Sequence, residues 1–301
     1  MTLNRGFAYR AQIGPEAAGR RVRDHLAAAY PHSNSAVWHA RLAGGEVELD
    51  GVLARGDETL RNGQHLAWHR PPWDEPDVPL TFALVYEDAD VVAVAKPCGL
   101  PTMPAGGFLA HTLLALVQAQ WGDAHPLHRL GRYTSGLVLF ARHHDAASVL
   151  SRAWRSHAVR KSYRALVAGA PPWDRHEIDV PIGPVPHPTL GTVHGACDDG
   201  RASHSVATVV ERRAGTTLLD VHITTGRPHQ IRIHLAAAGY PLAGDPLYGV
   251  GGRPLDVAPG LPGDGGYLLH AHRLQFAHPR GSGTLALEAP PPAALCAATP
   301  D

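Results

Sequence analysis

A chain of 301 residues, 44% hydrophobic and 18% charged, is long enough for a large core and suggests one substantial domain with a smaller one. That composition excludes a wholly disordered chain, and no apolar stretch approaches the roughly 20 residues that span a bilayer, so a cytoplasmic protein free of membranes is expected. Formal net charge is zero, and Cys98, Cys197 and Cys296 lie far apart without CxxC spacing, which points away from a disulfide framework or a zinc site.

In chain order, Arg20 to Tyr30 and Ser35 to Leu42 have the spacing of short amphipathic helices. An alternating stretch, Glu46 to Val52, follows, with Asp50-Gly51 as a hairpin signal and a closing strand near His65 to Trp68. These make a small unit over 1–72. The proline-dense run from Arg70 to Pro76 opens a semi-rigid linker, assigned to 73–79.

The second domain is expected over 80–290. Thr81 to Tyr86 and Val91 to Ala95 read as a hairpin, Leu113 to Trp121 and Ala146 to His157 as helices. Leu137 to Ala141, Tyr163 to Val167, Val206 to Val210 and Leu218 to Thr224 read as strands. The class is therefore α+β with a mixed, mainly antiparallel sheet. Pro181 to Gly200 and Gly249 to Gly266, dense in glycine and proline, are expected as surface loops, one of them a cover for a cleft. The tail, 291–301, is expected to be flexible.

Two features of basic residues stand out. Between Arg129 and Arg164, eight Arg or Lys residues face one acid, Asp145, which would make a positive patch; a solvated helix face is the plainer explanation. Of 27 Lys plus Arg, only Lys96 and Lys161 are lysine, so each is a candidate for a site that needs a compact ammonium. Histidine is abundant, but His125 with His128 and His143 with His144 lack convergent spacing, and no metal is expected.

The run His128-Arg129-Leu130-Gly131-Arg132, continuing to Leu137, resembles the signature of RluA-like pseudouridine synthases, in which the fourth residue is the catalytic aspartate. Here Gly131 stands in that place. Three further segments match in order: Tyr86-Glu87-Asp88 with Lys96-Pro97 and Gly99-Leu100; Lys161-Ser162-Tyr163-Arg164 with Gly169; and Thr225 to His234 continuing to Gly249. The front unit resembles an alpha-L RNA-binding domain.

The resemblance implies a pseudouridine synthase fold and a reaction in which the glycosidic bond of uridine breaks, uracil turns over, and its carbon 5 is joined to the sugar. It implies structured RNA, rRNA or tRNA, as partner, with no DNA, no membrane and no cofactor, and a monomer. A base within folded RNA must first be flipped out. Tyr163 would stack on it, and Lys161, two residues away on the same strand face, would sit at the pocket mouth near phosphate or be a solvated edge residue. Arg232 would pair with the catalytic carboxylate. With Gly131 there, this arginine must find another anion, stay hydrated, or serve RNA phosphate.

Arg129, Arg132 and Arg227 are candidate clamps on RNA, and His128 is an RNA contact or a hydrogen-bonded strand residue. His229 is expected to share a helix face with Arg232, as pocket wall or core hydrogen-bonder, in a helix capped near Thr225 or Gly226 with Pro228 in its first turn. A glycine can be neither nucleophile nor base. Asp123 and Asp245 are then the candidates to replace the carboxylate. The expected function is uridine isomerisation, weak or altered, with silent RNA binding as the alternative.

Overall fold

The computed structural model describes residues 3–30, 32–257, 260–281 and 283–298. The chain divides into two units, 1–75 and 76–301.

The first unit runs β1 (Phe7–Gln12), α1 (Val22–Ala29), α2 (Ser35–Ala43), β2 (Val47–Leu49), β3 (Val52–Leu53) and β4 (His65–Arg70). Its antiparallel sheet has the order β1-β4-β2-β3. Asn34 caps α2 by accepting from the Val37 amide at 2.9 Å. Asp50 and Gly51 both have positive φ, 50° and 80°, the conformation a two-residue hairpin turn demands. Val22, Leu26, Trp38, Leu42 and Leu60 form the core. Strand β1 was not expected. Phe7 and Tyr9 are 44% exposed, so no buried alternation marks it; backbone pairing along β4 and Tyr9 stacked on Trp68 hold it.

The second unit runs β5 (Ala83–Glu87), β6 (Val91–Lys96), α3 (Leu113–Trp121), β7 (His125–Pro126), β8 (Ser135–Ala141), α4 (His144–Arg155), β9 (Arg160–Ala168) and β10 (Arg175–Ile178). Then come β11 (Ile182–His187), β12 (Gly191–Ala196), β13 (Ser205–Arg213), β14 (Thr216–Ile223), α5 (Gln230–Ala237), β15 (Leu269–Ala277), β16 (Thr284–Glu288) and a 3-10 turn, Ala293–Leu295. The large sheet has the order β10-β13-β14-β9-β15-β8-β6-β5, with β16 against β15 and β7 against β8. Among the described residues, β8 with β15 is the one parallel pair. Strands β6 and β8 are nearly continuous buried apolar runs, as a two-sided central strand requires.

Strand β15 matters most for function, because it lies between β8, which follows Gly131, and β9, which carries Tyr163. Sequence reading missed it. His270 and His272 interrupt its apolar pattern at buried positions, where both rings hydrogen-bond the Ala289 carbonyl, at 3.1 and 3.0 Å.

Two loop expectations need correction. Pro181 to Gly200 contains the β11–β12 hairpin, in which Pro184 and Pro186 occupy alternate, exposed positions of a two-stranded ribbon. That ribbon has free edges, so the missing amides break no ladder. The tail is docked through Ala298: Leu295 is 1% exposed, and Arg213 donates to the Ala294 and Cys296 carbonyls. Residues 299–301 lie outside the described residues. No helix among the described residues is long and apolar enough to cross a membrane.

Candidate active site

Strand β9 alternates buried and open positions, and this puts Lys161 and Tyr163 on one face. Tyr163 is 9% exposed and lines an open cleft of about 480 Å³ with His128, Arg129, Trp154, Lys161 and Gly226. Burial pushes the Tyr163 phenol up to about 12, so it is a neutral aromatic wall. A larger cavity, about 540 Å³, opens against the other face of β9, at Arg160 and Ser162, and carries none of the motif side chains expected to act.

Lys161 is neither a solvated edge residue nor free for phosphate. It is 5% exposed, and its ammonium donates to the Thr224 and Thr225 carbonyls at 3.4 and 3.2 Å. Lys96, 2% exposed, does the same for the motif loop, donating to the carbonyls of Pro97, Leu100 and Arg132 at 2.9, 2.7 and 2.9 Å. A point-like ammonium with three donors can gather carbonyls from different directions, which a planar guanidinium cannot. The two lysines of an arginine-rich chain thus pin the two loops that frame the site.

On the motif loop, Gly131 is exposed, and a β-carbon there would stand 3.6 Å from the hydroxyls of both Thr134 and Tyr267. That is ordinary contact, and its φ lies outside the left-handed region. The backbone has room for a side chain. Arg129 is exposed, whereas Arg132 is tied down by donating from Nε to the Gly99 carbonyl at 3.0 Å. His128 stacks on Trp154, and its Nε2 accepts from the Leu139 amide at 3.1 Å. Burial, with Lys161 nearby, pushes that imidazole down to about 3. His128 is therefore a neutral, engaged wall of the cleft and not a cation for RNA.

Helix α5 begins later than expected, at Gln230, with His229 at its N-cap in the left-handed conformation, φ 55°. The buried Gln230 side chain explains the delay. It accepts from the Thr225 hydroxyl and the Arg227 amide, at 2.8 and 3.0 Å, and donates to the His204 carbonyl, closing 225–229 into a loop. His229 therefore precedes the helix, yet it and Arg232 still meet the same Tyr248 ring, the imidazole at 5.7 Å between centroids and the guanidinium at 5.0 Å from the ring centroid. The Tyr248 hydroxyl donates to the His194 carbonyl at 2.8 Å, so His229 Nδ1 supplies the proton for its own 2.8 Å bond to that phenol. Burial, aided by Arg232, pushes the His229 imidazole down to about 4. Arg227 holds the Ala202 carbonyl at 3.2 Å.

Arg232 does not lack an anion. Its Nε and Nη2 donate to the two carboxylate oxygens of Asp245, each at 2.7 Å, and both side chains are almost fully buried, at 3% and 1% exposure. Burial alone would lower the guanidinium pKa, but the Asp245 carboxylate more than offsets this and raises it. Asp245 also accepts from the Leu247 and Tyr248 amides. It is thus committed as a structural partner and is not available as a catalytic carboxylate. Asp123, the other candidate, is exposed in the turn after α3 and lines no part of the cleft.

The Gly249 to Gly266 loop has no helix or strand in its described part. It passes close to the site. The Pro262 carbonyl accepts from Arg232 Nη1 at 3.4 Å, and a β-carbon on Gly265 would stand 2.4 Å from the Tyr133 ring. Tyr267, just beyond it, lies under the Arg232 guanidinium, 4.4 Å from its ring centroid. No sequence signal singled out Tyr267, which sits between a Gly/Pro-rich loop and an unrecognised strand.

Asp88, Asp90 and His278 are the one group among the described residues close enough together to hold a metal ion. Their acceptors are already taken. Asp88 accepts from Tyr86 and His278, and Asp90 from His143 and Arg280.

The family model described as RNA pseudouridylate synthase matches residues 90–237, the span from the turn before β6 to the end of α5. An uncharacterized RNA pseudouridine synthase of Synechocystis sp. is 41% identical over 90% of this chain and 94% of its own length. The chain belongs to the RNA pseudouridine synthase family. Its branch is the RluA-like one: the ribosomal large subunit pseudouridine synthase D of Neisseria meningitidis serogroup B is 32% identical over 92% of this chain and 77% of its own. Among solved structures, human RNA pseudouridylate synthase domain containing 1 superposes with a TM-score of 0.56, covering 72% of this chain and 86% of that one at 23% identity. That similarity gives the fold of the second unit: a pseudouridine synthase sheet.

Proposed function

We propose that this RluA-like protein binds structured rRNA or tRNA in the cytoplasm as a monomer, flips a uridine onto Tyr163, and isomerises it slowly. The observation that carries this reading is the cleft itself: Tyr163 forms an aromatic wall beside exposed Arg129, and the loops that frame it are pinned by Lys96 and Lys161. Stacking on an aromatic is worth about 1 to 3 kcal/mol per base, enough to favour an extruded nucleotide that is already unpaired. The first unit, two helices followed by a hairpin, supports a second RNA contact of the alpha-L kind.

Turnover is expected to be low because a positioned base contributes about 100- to 10,000-fold and Gly131 supplies none. A specific observation favours a second reading, a catalytically silent RNA-binding protein acting as chaperone or assembly factor. No residue lining the cleft among those described is a carboxylate, and Asp245 is spent on Arg232.

Unmodified rRNA and tRNA transcripts incubated with the purified full chain, with pseudouridine mapped by carbodiimide labelling, separate the two. New pseudouridine supports the isomerase. RNA binding that weakens with salt, without new pseudouridine, supports the silent binder. No salt-dependent RNA binding at all would overturn both.

A further inference from the structure

The place left open at Gly131 is bordered by an unusual set of groups. A β-carbon there would meet two hydroxyls, those of Thr134 and Tyr267, at 3.6 Å each. Tyr267 is 5% exposed, and the Arg232 guanidinium lies over its ring, 4.4 Å from the centroid. Arg232 in turn is fixed bidentately by Asp245. The phenol is therefore held by a rigid, fully paired support, beside a backbone position that is open to solvent.

We propose that the Tyr267 hydroxyl contacts the flipped uridine as a hydrogen-bond donor, from its place beside Gly131. This rests on the reading that Tyr163 receives a flipped uridine. The Thr134 and Tyr267 hydroxyls both face the β-carbon position of residue 131, and a phenolic hydroxyl can accept from one neighbour while donating its proton to another. Burial raises the phenol pKa, which keeps that proton on at neutral pH. A protonated phenol cannot stand in for a carboxylate as nucleophile or base. It can orient a nucleotide by donating to a uracil carbonyl or a ribose hydroxyl.

The test uses the full chain carrying tyrosine labelled with 13C at Cζ, whose eight resonances are assigned with single Tyr→Phe variants. Uridine 5′-monophosphate is the probe. Saturable shifts of both the Tyr163 and Tyr267 resonances are expected, and Tyr267→Phe should weaken binding of the nucleotide about five- to ten-fold, the loss of one hydrogen bond. A shift at Tyr163 with none at Tyr267 would overturn the proposal and leave the uridine-binding reading standing. If neither moves, both fall. Because the shifts are read in the native protein, a Tyr267→Phe variant that fails to fold leaves the decision intact.

Discussion

The two sides of the candidate site differ in how completely their polar groups are paired. On the α5 side, Arg232, Asp245, Tyr248 and His229 are all engaged, mostly with one another, and Arg232 and Asp245 are almost sealed from solvent. On the motif-loop side, Gly131 and Arg129 are exposed, and the nearest groups to residue 131 are neutral hydroxyls. Without an aspartate at 131, the family resemblance leaves Arg232 to find another anion, stay hydrated or serve RNA phosphate. It finds another anion, Asp245. A carboxylate can therefore be absent from position 131 without the cost, about 3 to 5 kcal/mol, of an unpaired buried charge.

The comparison can be broken most sharply on the paired side. Asp245→Asn leaves the buried guanidinium without its anion and should lower stability by about 3 to 5 kcal/mol, read as a shift in the urea midpoint. A change smaller than about 1 kcal/mol would mean that the pair carries none of the assigned work. Acid should act on both sides. The His229 and His128 imidazoles, pushed to about 4 and about 3 in the fold, lie below their unfolded value of 6.5. The unfolded chain then binds more protons between those values, so their contribution is intact above pH 6.5 and is lost as pH falls towards 4. Urea midpoints should drop between pH 7 and pH 5, and His229→Asn, neutral at both and tolerant of the left-handed backbone, should shrink that drop. An RNA affinity that rises tenfold over the same interval would contradict the view that His128 is a neutral wall.

Smaller effects belong to the open side. Tyr163→Ala should weaken RNA binding by about 1 to 3 kcal/mol, measured by anisotropy at fixed salt, with the fold retained. Gly131→Asp should change stability by less than about 0.5 kcal/mol, since its β-carbon meets only ordinary contacts and its backbone is unstrained. A large loss there would show that the loop is built around glycine.

How far the sequence could be read follows the same division. The Lys-x-Tyr spacing marked one face of β9 because strand side chains alternate, and Asp50-Gly51 marked its turn because few residues accept positive φ. The scarcity of lysine flagged Lys96 and Lys161, yet the partners that tie separate segments together, the Arg132 carbonyl for Lys96 and the Thr224 and Thr225 carbonyls for Lys161, lie far along the chain. Pairing of that kind leaves no local pattern. The Arg232–Asp245 bridge was hidden for this reason, and β15 was hidden because its histidines are satisfied by a carbonyl 17 to 19 residues away. Proline density misled at β11, where a two-stranded ribbon tolerates what a central strand would not.

The central claim is that the site retains everything needed to receive uridine and lacks only the carboxylate. Its most direct test is pseudouridine formation on unmodified rRNA and tRNA transcripts, with the native chain and Gly131→Asp compared at equal RNA occupancy. A gain of about 100- to 10,000-fold at the same uridine is the expected result. An equally inactive, correctly folded Gly131→Asp protein that binds RNA as before would contradict it.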